Sequence, residues 1–283
     1  LIPLPLDGDP KRIKWVMIVN VNPWSIAGGS GAMYFVGDFD GRTFTPDRVA
    51  PAGSDPARFR WVDHGADFYA AGTFSGAPGA RPVAIAWMSN WDYAAKVPTT
   101  PWRGATTLPR ELSLKAIDGE PTLIVAPAAA FDAWADGRPA VHEGDVTVDS
   151  ATRPLSAATR GIVQRITVTL SPQRAARAGM IVRRSADGSI GTRIVYDTAK
   201  RTLTLDRSRS GEANFAGTFS REHIVDLPLE RGQLRLDIVV DRGSVEVFAN
   251  GGRVALTDLV FPPLEADRVA VFAEQGRATF SGL

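Results

Sequence analysis

Residues 162–170 read Ile-Val-Gln-Arg-Ile-Thr-Val-Thr-Leu, and this stretch decides the fold class. In an extended chain successive side chains point to opposite faces, so Ile162, Gln164, Ile166, Val168 and Leu170 share one side. Leu234-Arg235-Leu236-Asp237-Ile238-Val239-Val240 and Ser244-Val245-Glu246-Val247-Phe248 keep the same period of two, and Asn250-Gly251 is a hairpin signal. Residues 140–283 are therefore expected to form an antiparallel β-sandwich.

Towards the N-terminus the β-rich runs become shorter: Trp15–Val19, Met33–Val36, Asp67–Ala70 and Val83–Trp87. Each is bounded by Gly, Pro, Asn or Asp, and the 27 Gly and 20 Pro supply these turns. Hairpin-sized spacing without an exact repeat suits a propeller or a sandwich. Ala126–Trp134 is the best helix or linker candidate, with Asp136-Gly137-Arg138-Pro139 placed to stop it. The expected organisation is thus all-β: one piece over residues 1–125, a linker or short helix over 126–139, and a second piece over 140–283.

Composition narrows the function. The chain of 283 residues carries 32 Lys+Arg against 31 Asp+Glu, a net charge of +1 with the signs interspersed. That balance argues against nucleic acid or an anionic membrane as partner, and no apolar run is long enough to span a bilayer. The absence of cysteine removes disulfides, thiolate metal sites and cysteine nucleophiles together. No Gly-x-Ser-x-Gly elbow occurs, and His64, His142 and His223 stand in unrelated contexts, the last two read as loop residues. No His/Asp/Glu cluster has metal-ligand spacing, and no cofactor is implied. Gly28-Gly29-Ser30-Gly31, between two strands, reads as a wide turn.

Aromatic and acidic residues remain. Six of the seven Trp lie in the first 102 residues. Trp24 follows Asn22-Pro23, Trp91 follows Met88-Ser89-Asn90, and both precede polar or small residues, a context suited to sugar stacking as well as to a half-buried loop aromatic. Asp63 and Asp67 invite a glycosidase pair, but residues four apart in a strand lie about 13 Å from each other, so a turn at Gly65 would be needed. Asp38 and Asp40 read as hairpin residues, and Arg110-Glu111 as an internal ion pair.

Longer segments carry a resemblance. Trp61–Ala70, Ala86-Trp87-Met88-Ser89-Asn90-Trp91-Asp92-Tyr93, Pro98–Gly104 and Leu108-Pro109-Arg110-Glu111-Leu112 occur in one order. With Asn20–Gly41 they resemble the later propeller blades of glycoside hydrolase family 32, the levanases, exo-inulinases and β-fructofuranosidases. Ala178–Arg184, Leu205–Gly211 and Val240–Gly251 are similar to the C-terminal sandwich of that family.

The resemblance implies the later blades of a five-bladed β-propeller followed by the sandwich, and a retaining enzyme acting on levan, inulin or sucrose. It also implies an extracellular or periplasmic bacterial location. The family's nucleophile, transition-state and acid/base motifs (Trp-x-Asn-Asp-Pro, Arg-Asp-Pro and Glu-Cys-Pro) do not occur here. No catalytic carboxylate is therefore expected in this chain. Leu1-Ile2-Pro3-Leu4-Pro5 resembles the text that follows Glu-Cys-Pro-Asp, so the partner expected is the N-terminal propeller half of the same enzyme.

By the same resemblance Trp91 walls the fructose pocket and Asp63 lies near substrate. Trp24 is expected to reach the leaving-group side. Ala66 replaces a Lys of plant relatives, which leans towards microbial fructanases, and Asp241, Arg242 and Glu246 are expected to be ladder charges. The other reading is a non-catalytic carbohydrate-binding or structural module.

Overall fold

The computed structural model describes residues 1–77, 79, 81–219 and 221–283. The first sheet comprises β1 (Ile2–Pro5), β2 (Ile13–Val21), β3 (Gly31–Phe39) and β4 (Phe44–Pro46), with β5 (Arg60–Trp61) added to β3. The second comprises β6 (Tyr69–Thr73), β7 (Val83–Met88), β9 (Arg110–Ile117) and β10 (Glu120–Pro127), with β8 (Ala105–Thr106) on β7. All neighbours in both sheets are antiparallel. Leu4, Val16 and Val36 of the first sheet share one apolar core with Ala84, Leu112, Leu123 and Val125 of the second.

After β10 the chain forms α1 (Ala129–Asp136), ended by Gly137. The helix begins three residues later than the alanine run suggests, because β10 continues to Pro127 in register with Arg110. Twelve strands follow: β11 (Val146–Asp149), β12 (Thr152–Pro154), β13 (Gln164–Ser171), β14 (Arg177–Arg184), β15 (Thr192–Asp197), β16 (Thr202–Asp206), β17 (Glu222–Asp226), β18 (Leu234–Asp241), β19 (Ser244–Ala249), β20 (Val254–Leu259), β21 (Arg268–Glu274) and β22 (Arg277–Ser281). They build two six-stranded antiparallel sheets, ordered β11-β22-β13-β18-β19-β20 and β12-β21-β14-β15-β16-β17.

Val168 and Leu170 of the opening stretch lie in the core between these sheets with Val240, Val247, Leu205 and Phe280, and Ile166 packs against it. Removing such apolar side chains from water is the main force holding the two sheets together. Asn250 and Gly251 take left-handed backbone in the turn from β19 to β20.

The strand β19 departs from simple alternation. All six of its residues are buried. Val245 and Val247 point into the core, while Glu246 and Phe248 face the first half of the chain instead of water. Glu246 is thus not a solvated ladder charge but half of a buried contact between the two pieces.

Candidate functional site

The loops after β2 and β7 meet at one end of the first piece, and Asn90 binds them together. Its amide nitrogen donates to the carbonyls of Gly28, Ser30 and Ala66 at 3.0, 3.2 and 2.9 Å. Its oxygen accepts from the backbone N–H groups of Ser30 and Asp92 at 3.2 and 3.0 Å. Gly29 is required here: a Cβ on it would stand 2.0 Å from the Asn90 oxygen. One buried amide therefore fixes three chain segments, as buried polar groups must be satisfied to persist.

Trp91 is presented by this clasp. Its backbone N–H donates to Ser30 Oγ at 3.1 Å, and its ring leans on Trp87 with centroids 4.9 Å apart. The residue is nevertheless 59% exposed. A large aromatic that leans on a neighbour and stays more than half exposed is suited to stack on the C–H face of a sugar. Trp24 lies in the same loop as Gly28, 41% exposed, with its ring against Phe59 (5.1 Å) and Trp61 (6.5 Å). Its φ of 90° is a strained conformation for a bulky residue, of a kind that clusters at functional sites.

Asp63 lies elsewhere. It is 3% exposed, and Arg110, Thr257 and the Gly65 backbone occupy both of its oxygens, so no sugar hydroxyl can reach it. Its neighbour Asp67 is as completely enclosed, accepting from Tyr93 (2.6 Å), Arg207 (2.6 Å) and the Leu259 N–H (2.8 Å). The four-residue spacing has a structural cause. Segment 63–67 runs along the open edge of β20: His64 and Asp67 donate their N–H groups to Ala255 and Thr257, while the two carboxylates accept from the N–H groups of Thr257 and Leu259. The carboxylates stand in for strand carbonyls, and Gly65 gives the room, since a Cβ there would lie 2.2 Å from the Thr257 oxygen.

Two buried arginines complete this junction. Arg110 reaches Asp63 (2.7 Å), Glu246 (2.6 Å) and Thr257 Oγ1 (2.5 Å), so its partners are not the adjacent Glu111, which pairs with Arg81. Arg207 reaches Asp67, Tyr93 and the carbonyl of Phe219. His223 is a buried strand residue, not a loop one, with Nδ1 2.7 Å from Asp258. Burial raises the pKa of Glu246 and of Asp67, the latter despite Arg207 beside it. Asp258 is held low, because His223 and Arg207 outweigh the effect of its burial. None of Asn90, Tyr93, Arg207 and Asp258 was singled out by sequence; Asn90 and Tyr93, inside the motif around Trp91, and Arg207, inside Leu205–Gly211, carried a signal that could have marked them, and Asp258 carried none.

Desolvation pushes the His64 pKa down to about 4, against the opposing pull of Asp63 and Asp226. The folded protein therefore resists a proton that the unfolded chain accepts near pH 6.5. This ring's contribution to stability is complete above that pH and is lost as pH falls towards 4. His64→Gln is expected to narrow the gap between urea-unfolding free energies at pH 7 and pH 5 by about 1–2 kcal/mol. Identical gaps in both proteins would reject the assignment.

Exposed Trp91 and Trp24 thus stand on loops that Asn90 ties together, and the acidic pair belongs to the junction between the two pieces. Comparison with known proteins identifies the family. The model of the glycosyl hydrolases family 32 N-terminal domain matches residues 1–127, and that of the family 32 C terminal matches residues 135–283. An extracellular exo-inulinase of Aspergillus ficuum is 40% identical over 272 residues, covering 94% of this chain and 50% of its own length. A levanase of Bacillus subtilis is 36% identical over 281 residues, covering 98% of this chain and 40% of its own length. The crystal structure of exo-inulinase from Aspergillus awamori superposes on the whole chain with a TM-score of 0.88 and 35% identity, over 56% of that enzyme's chain. The chain spans about half the length of these relatives, and it belongs to glycosyl hydrolase family 32.

Proposed function

We propose that this chain is the later part of a retaining β-fructosidase that cleaves or transfers the fructosyl units of levan, inulin or sucrose. The observation that carries the reading is Trp91, 59% exposed, with its ring tilted against Trp87 and its backbone N–H held by Ser30 beside the Asn90 clasp. Relatives named exo-inulinase and levanase supply the substrate class.

In this reading the two small sheets are blades of a propeller whose remaining blades lie outside this sequence, and the two larger sheets are its sandwich. The nucleophilic Asp and the acid/base Glu come from a segment N-terminal to the chain. The nucleophile attacks the fructosyl anomeric carbon while the acid protonates the departing oxygen. Water or a sugar hydroxyl, deprotonated by the same Glu, then releases the fructosyl group. Trp91 and Trp24 of this chain hold the sugar. Extracellular action is part of the proposal, since the exo-inulinase relatives are described as extracellular.

The test is fructose release from levan, inulin and sucrose by the full-length protein. Trp91→Ala is expected to lower kcat/KM at least tenfold, the loss of about 1.4 kcal/mol of stacking in the transition state. A full-length protein inert on all three sugars would overturn the reading, and so would an unchanged kcat/KM in Trp91→Ala.

A further inference from the structure

The second half of the chain also reaches the Trp91 surface. Between β16 and β17 the chain leaves the larger sheets, and Ala213, Ala216 and Phe219 bury themselves against Met88, Tyr93 and Val97. Phe219 is fully enclosed, and two residues later Arg221 extends over the loop that holds Gly28. Its guanidinium makes a long contact to the Ala27 carbonyl, 3.4 Å. Gly28, at φ +84°, leaves the space that this side chain needs: a Cβ there would stand 2.6 Å from Arg221 Nη1 and 4.0 Å from Asp92 Oδ2.

Asp92 is the residue after Trp91 and is exposed. Among the described residues its carboxylate accepts no hydrogen bond, and Arg221 has no carboxylate within ion-pair reach. A cation and an anion therefore flank the same glycine without closing on each other. The gap suits one hydroxyl, which accepts from the guanidinium and donates to the carboxylate, spanning about 5–6 Å between them. A polar pair of this kind beside an aromatic platform is the usual composition of a sugar subsite.

We propose that Asp92 and Arg221 together grip one hydroxyl of a fructosyl unit lying next to Trp91, so that the subsite is assembled from both halves of the chain. The inference rests on the fructosidase reading, and Arg221 is its specificity-determining contribution from the larger sheets.

The test is calorimetric titration of the full-length protein with a linear fructo-oligosaccharide, alongside thermal melting. Asp92→Asn and Arg221→Gln are each expected to weaken binding about tenfold with Tm unchanged, as loss of one hydrogen bond to a charged group predicts. The double variant is expected to be no weaker than either single one, because both groups hold the same hydroxyl. Losses that multiply in the double variant would overturn the shared grip. So would unchanged binding with a lowered Tm in Arg221→Gln, which marks a purely structural contact. A wild-type protein that binds no fructo-oligosaccharide removes the fructosidase reading itself, whereas normal wild-type binding with unaffected variants removes only this pair.

Discussion

Arg110→Ala is expected to lower the unfolding free energy by about 3–5 kcal/mol, because it leaves two carboxylates enclosed without a cation. The Arg110 guanidinium is fully buried, bonded to Asp63 and Glu246, and stacked between Phe68 and Phe248 at 4.6 and 4.9 Å. With the arginine gone, Glu246, whose pKa burial already raises, gains by taking up a proton, so the deficit is expected to shrink as pH is lowered from 7 to 5. Restoring volume without charge separates the causes: Arg110→Met with Asp63→Asn and Glu246→Gln should return more than half of the loss. Urea unfolding at the two pH values measures all of this. A loss in Arg110→Ala below about 1 kcal/mol, the range of ordinary surface substitutions, would sink the argument.

Arg207→Ala is expected to be at least as damaging. Its fork bonds Asp67 and Tyr93, its Nε donates to Phe219, and its plane lies 3.9 Å from the Phe219 ring. Truncation strands Asp67 against Asp258 and leaves the Tyr93 hydroxyl, whose pKa burial already holds well above its ordinary value, bonded to Asp67 alone. Arg207→Lys keeps the charge but not the planar fork, and about 2–3 kcal/mol of destabilisation is expected from it. A second consequence is local. Tyr93 sits three residues from Asn90, so amide exchange over residues 88–97 should quicken in Arg207→Lys before the larger sheets loosen. Exchange that quickens uniformly across the chain would contradict this picture.

The strands were legible because burying one face leaves a period of two, and Ile166, Val168 and Leu170 carry it plainly. Burial on both faces erases that mark. Glu246 alternates like a solvent-facing residue, yet its face meets the first half of the chain, and nothing nearby in sequence says so. Asp63 misled for a related reason. An acid beside Gly and aromatic residues reads as a site, and only the edge of β20, nearly two hundred residues away, shows what its oxygens are for. Trp91 and Trp24 were visible as aromatics in turn-like contexts. The clasp that fixes them was not, since one amide serving three carbonyls on two distant loops leaves no spacing to read.

The carboxylate-lined cover over β20 also bears on engineering. A chimera that grafts the larger sheets onto another catalytic unit inherits a strand whose N–H row was matched to one particular loop. Without the Asp-His-Gly-Ala-Asp segment, that row is a free template for a second molecule. Modular exchange should therefore succeed when the five-residue segment travels with the graft, and otherwise yield soluble oligomers or aggregates.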